Sequence, residues 1–166
     1  YLDSANYVKI NLASSGQQEV VWIFNLLFYY LLEEKKVFLI LEEPESHLYP
    51  ESQRLIAEVL SLFANSDKQM LVTTHSPYIL GTFNYLLIAA QCPEQHQVEL
   101  SKSVHKRMWL EPQKSGAYFI QNGSLTNILV EEDGLTLIKN EVIDGASAEI
   151  NNRSDIALEL LETGDV

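Results

Sequence analysis

One cysteine, Cys92, is all that 166 residues carry, which excludes an internal disulfide and fits a reducing compartment. Cys92 and His96 are spaced like half of a metal site, but no further cysteine completes the set, so no structural zinc is expected. Basic residues are scarce as well: 11 Lys and Arg stand against 23 Asp and Glu, a formal charge of −12. Phosphate binding needs a basic footprint. This chain is therefore not expected to grip nucleic acid alone, and any such contact falls to other regions. Long hydrophobic runs are missing too. The most apolar stretch, Val20 to Leu32, is shorter than the roughly 20 residues of a membrane span, and Asn25 interrupts it. No charged leader with a small-residue cleavage site precedes that stretch. A cytoplasmic protein with no membrane association is the expectation. There is no internal repeat and no low-complexity linker, and the chain opens at Tyr1, mid-pattern, as a piece of a longer protein would.

What is present is enough apolar residue for one core, at 46%. YVKINL (7–12) alternates and reads as a strand, and ASSGQQE is a turn leading into a helix. Val20 to Leu32 is apolar on nearly every face, which predicts a deeply buried helix. VFLIL (37–41) and QMLVTT (69–74) read as buried strands, the first as a parallel strand covered on both sides. Between them Pro50 suits a first helical turn, with Leu55, Ile56, Val59, Leu60 and Phe63 at helical spacing. Pro77 opens another helix, to about Ala90. The first half thus predicts an α/β layer with a mostly parallel sheet and flanking helices. Residues 92–99 read as a polar loop, Asn122-Gly123 as a hairpin turn, EEDG (131–134) as another turn, and 154–162 as a final helix. Residues 1–90 and 91–166 are taken as a lobe and its extension.

Three polar clusters close elements of the first half: Ser14-Ser15-Gly16-Gln17, Glu42-Glu43 and His75-Ser76. In open α/β sheets ligands bind outside the carboxyl ends of the strands. If the strands ending at Glu43 and Thr74 are neighbours, Glu43 and His75 face one crevice. A carboxylate there can hold Mg²⁺, a second can orient or deprotonate water, and a histidine can sense a transferred phosphate. Ser14 and Gly16 at a helix start offer donors to an anion. Each cluster alone also reads as a cap, a solvated turn or an ordinary loop histidine. Their order and spacing favour chemistry.

Together these residues resemble an ABC-type ATPase domain and, more narrowly, the bacterial AAA-family ATP-binding proteins related to the SMC and OLD-nuclease ATPases. Ala13 to Gln17 is similar to the signature loop, with Ala13 for its leucine and Ser15 for its first glycine. Phe38 to Pro44 resembles a Walker B strand, EEPESHLYP the acidic run of the narrower group, and LVTTHSPYIL (71–80) the switch-histidine segment. Glu42 stands where the wider superfamily usually has Asp, and Tyr49 where transport ABC proteins have the D-loop aspartate.

That resemblance implies ATP and Mg²⁺ as ligands. Glu43 would be the carboxylate that polarises water, Glu42 the Mg²⁺-associated position and His75 the γ-phosphate sensor. Ser14, Ser15, Gly16 and Gln17 would reach ATP held by the opposite subunit of a homodimer. No G-x-x-x-x-G-K-[ST] loop occurs in the chain, so nothing in it cradles the β-phosphate. An N-terminal lobe, in the same protein or another chain, is the implied partner. The alternatives are a non-hydrolysing interaction module with an acidic docking surface, or the ATPase component of a nuclease or defence system. Glu131, Glu132, Asp133 and Asp144 form no recognisable metal-nuclease pattern.

Overall fold

The computed structural model describes residues 8–33 and 36–139. Helix α1 (Ser15–Leu32) starts because Ser14 and Gln17 form a reciprocal cap. The Gln17 amide donates to Ser14 Oγ at 3.4 Å, and the Ser14 amide donates to Gln17 Oε1 at 3.2 Å. Strand β1 (Phe38–Glu42), helix α2 (Pro50–Ala64) and strand β2 (Gln69–Thr73) form a β-α-β unit. Its strands are parallel and in register from Phe38 opposite Gln69 to Glu42 opposite Thr73. Parallel strands need a long crossover, and α2 supplies it.

The apolar stripe of α2 drives the packing. Ile56, Ala57, Leu60 and Phe63 are buried with Leu27 of α1, Leu39 of β1 and Ile79 of helix α3 (Pro77–Ala90). At about 1.5–3 kcal/mol for each fully buried large side chain, this stripe outweighs any single hydrogen bond in the fold. Helix α3 is two-sided. Leu80 and Leu87 pack with Ile128 and Ile138, while Leu86 and Ala89 pack with Val104 and Trp109. It thereby joins the β-α-β unit to helix α4 (Glu94–Leu100) and to two antiparallel hairpins. These are β3 (Tyr118–Gln121) with β4 (Ser124–Asn127), and β5 (Leu129–Glu132) with β6 (Leu135–Ile138).

Ser76 caps α3, its Oγ accepting from the amides of Tyr78 and Ile79 at 3.1 and 3.2 Å. The same hydroxyl donates to Gln53 Oε1, so the cap also ties α3 to α2. Ser76→Ala is expected to cost about 1–2 kcal/mol, or roughly 2–8 °C in Tm for a chain of this size. An unchanged thermal melt would show that the helix start does not depend on this hydroxyl.

Several expectations are corrected. The α/β class stands, but among the described residues one strand pair is parallel and two are antiparallel. The expected strand over 7–12 is instead a 3-10 turn at Ile10–Leu12, closed by the Leu12 amide on the Lys9 carbonyl at 2.8 Å. Alternation makes a strand only where a partner ladder takes its amides, and no described strand lies beside this segment. Residues 94–100 form α4 rather than loop, starting just after Pro93, whose fixed φ favours helix entry. The expected final helix at 154–162 lies outside the described residues.

Helix α1 is not buried on all sides. Trp22, Phe28 and Leu32 are exposed, Leu32 at 84%. Among the described residues the β1–β2 pair is covered on one face only. Leu39 and Leu41 face the core with Met70 and Val72, whereas Phe38 and Ile40 are each 60% exposed and Leu71 is exposed beside them. The second face sets Phe38, Ile40 and Leu71 beside Gln69, Thr73 and Glu42, and no described element packs on it.

Candidate active site at the strand ends

The loops after β1 and β2 leave the sheet side by side because the strands are parallel neighbours. The Glu43 amide continues the ladder, donating to the Thr73 carbonyl at 2.9 Å. Glu43 then turns into the left-handed region, with φ of 44°. That conformation is uncommon for a residue with a Cβ, and it turns the chain out of the strand. The Ser46 amide closes the turn on the Glu43 carbonyl at 3.0 Å.

This geometry brings Glu43 and His75 together, with His75 Nε2 3.4 Å from Glu43 Oε1. The His75 side chain is 89% exposed and the Glu43 side chain 47%. Water reaches both groups, so the pair contributes little to stability. It is available to a ligand. A cleft of about 350 Å³ lies here, lined by Glu43, Glu45, His47, Gln53, His75 and Ser76 among others.

Glu42 does not join that cleft. It shares the bare face of β1 with Phe38 and Ile40 and is exposed. Among the described residues, no group of three or more His, Cys, Asp or Glu side chains is arranged to hold a metal ion. None of the four residues Ser14 to Gln17 lines the cleft either. Ser14 and Gln17 satisfy each other as the cap of α1. Gly16 is buried against the loop after β1, and a Cβ there would lie 2.4 Å from the His47 carbonyl oxygen. His47 in turn sets its Nδ1 3.0 Å from Glu19 Oε1 of α1. The start of α1 and the acidic loop are thus locked together by a contact that only glycine permits.

Glu45 is the residue that sequence reasoning left without a role. It is 8% exposed, and its Oε1 accepts from the Thr74 hydroxyl and, at 3.1 Å, from the His75 amide. Buried glutamate is rare unless paired. The available signal was a third carboxylate two residues beyond the acidic pair, just after Pro44. Gln53 is a second omission: its Oε1 accepts from Ser76 Oγ, and its Nε2 donates to the Leu48 carbonyl at 2.8 Å.

Comparison with known proteins bears on the half of the chain that holds this geometry. Residues 2–80 match the AAA ATPase domain family. The match supports a relationship to AAA-family ATPases, and it takes in α1, the acidic pair, β2 and His75. It stops within α3, before α4 and both hairpins. An uncharacterized protein of Methanocaldococcus jannaschii is 32% identical over 77 residues, 46% of this chain but 9% of that protein. No solved structure matches the chain significantly. Among the described residues no helix is long and apolar enough to cross a membrane.

Proposed function

We propose that this chain is the C-terminal lobe of an ABC-type, SMC- and OLD-related ATPase head, hydrolysing ATP once an N-terminal lobe completes it. The observation that carries this reading is the approach of Glu43 and His75, 3.4 Å apart across the ends of two parallel strands. Phosphoryl transfer to water needs little covalent help from protein. It needs a positioned water and donors toward the phosphoryl oxygens. Glu43, half-exposed at the cleft, accepts a hydrogen bond from the water and draws off its proton. His75 donates from its imidazole toward the transferred group.

Mg²⁺ fits the donor chemistry, because it takes one or two carboxylates together with phosphate and water oxygens. The exposed carboxylate of Glu42 is a donor of that kind, and the bound ion would offset negative charge on the phosphates. The bare face of β1 and β2 supports an N-terminal lobe, which would cover Phe38, Ile40 and Leu71 and bring the loop that cradles the β-phosphate. Ser14 to Gln17 lie outside their own cleft, in keeping with action on ATP held by the opposite head of a dimer. ATP binding in the cytoplasm of a bacterium is the setting proposed for this chain. DNA repair or phage defence, with a nuclease in the same system, are processes such a cycle can drive.

A second reading, a non-hydrolysing interaction module, is favoured by the absence of a phosphate-cradling loop from these 166 residues. His75→Ala in the full-length protein separates the two. The ATPase reading expects kcat to fall about tenfold or more, with the Kd for ATP held within about threefold. Equal losses in hydrolysis and binding would point to a fold defect and remove His75 from its role. No ATP hydrolysis by the full-length parent would leave the interaction module standing.

A further inference from the structure

Two loops carry the cleft, and each is short and open to water on one side. Something must hold them in register, because the Glu43–His75 pair is too exposed to do so itself. The loops are joined lower down, through part-buried groups. Glu45 leaves the first loop, and its Oε1 receives both the Thr74 hydroxyl and the His75 amide of the second. Thr74 Oγ1 also accepts from the Ser76 amide at 3.0 Å, and Ser76 Oγ donates to Gln53 Oε1. Gln53 closes the ring by donating to the Leu48 carbonyl of the first loop at 2.8 Å. Every link is a part-buried hydrogen bond, which reduced local polarity strengthens. Glu45 Oε2 is buried as well and has no donor among the described residues, although the residue lines the cleft.

We infer that Glu45 is a positioning residue of this site. Its carboxylate clamps the backbone at His75 to the loop bearing Glu43, so the two cleft residues move as one unit. This rests on the ATPase reading for its consequence, but the clamp itself is a statement about two loops. An aliphatic residue would fill the space under the cleft without holding the His75 amide. A glutamine would hold it, because two donors converge on the Oε1 position and force the amide oxygen to face them.

The experiment compares Glu45→Gln with Glu45→Ala in the full-length protein, reading hydrogen exchange at the His75 amide, ATP turnover and thermal stability. Glu45→Ala is expected to speed exchange at His75 about tenfold or more through loss of its acceptor. The kcat for ATP should fall about tenfold, with KM within about threefold. Glu45→Gln should keep the amide protected and recover at least about a third of the turnover. Native protection at His75 in Glu45→Ala would overturn the clamp, and so would equal behaviour of the two variants in a folded protein. If Glu45→Ala does not fold, Glu45→Gln decides. A protected His75 amide supports the clamp, and an unprotected one in a protein of native Tm overturns it. Failure of the ATPase reading would appear as no turnover by the parent, while the exchange comparison still reports on Glu45.

Discussion

Glu43→Gln in the full-length protein is expected to slow ATP turnover by roughly 100-fold or more, the scale of losing a general base. ATP binding and the fold should both survive. Glutamine has nearly the shape of glutamate and presents an oxygen in the same place, but it cannot take a proton from water. The backbone of residue 43 sits at φ of 44°, and neither side chain is better suited to that region than the other. The ladder bond from the residue 43 amide to the Thr73 carbonyl is untouched by the change. Loss of the Glu43 contact to His75 matters little to stability, because both side chains are solvated. Tm and the Kd for ATP should therefore stay near parental values while kcat collapses. Parental turnover in this variant would remove Glu43 from the chemistry.

The second large effect concerns the start of α1. Helix propensity alone says that Gly16→Ala should stabilise the protein by about 1 kcal/mol. The packing says the opposite. A Cβ at residue 16 would sit 2.4 Å from the His47 carbonyl oxygen and 2.9 Å from Leu48 Cδ2. The leucine tip can rotate away, but the carbonyl belongs to a backbone pinned by the Leu48 amide on the Glu45 carbonyl at 3.0 Å. Overpacking of this kind costs about 1–3 kcal/mol and is relieved only by a backbone shift. Set against that gain, the clash leaves a net loss of up to about 2 kcal/mol, a Tm lowered by as much as roughly 8 °C. Turnover should fall as well, because the loop that must shift is the one carrying Glu43. A rise in Tm would show that the loop yields freely and that Gly16 is not a contact point.

The β-α-β unit was legible in the sequence because its signals are local. Pro50 and Pro77 mark helix starts, and both helices begin there. Asn122-Gly123 marks a two-residue turn, and both residues take positive φ, 51° and 76°. Asp133-Gly134 turns the same way, at 51° and 78°, where only a turn and no hairpin was read. The adjacency of Glu43 and His75 hung on the two strands being neighbours, which the sequence left as a condition and the β1–β2 pairing meets. What stayed hidden depends on contacts between distant segments. Helix α1 is apolar all round, so its periodicity could not say which faces this chain covers. The 7–12 segment alternates like a strand, but only a neighbour could have made it one. Burial of Glu45 is equally invisible, since it arises where Thr74 and His75, 29 and 30 residues later, come back to it. Gly16 read as part of an anion-binding loop. Its fit against His47 needed the fold.

The left-handed turn at Glu43 sets the backbone and the proposed chemistry of the side chain against each other. A glycine there would relax the backbone, since it adopts positive φ without the steric penalty that other residues meet. The fold by itself would gain from the exchange. A glutamate in this position carries a backbone cost that the fold alone does not require. Strain of this kind concentrates where chains do chemistry. A search for sturdier versions of this protein would be drawn to residue 43 among its positive-φ positions, and would discard the carboxylate in the process.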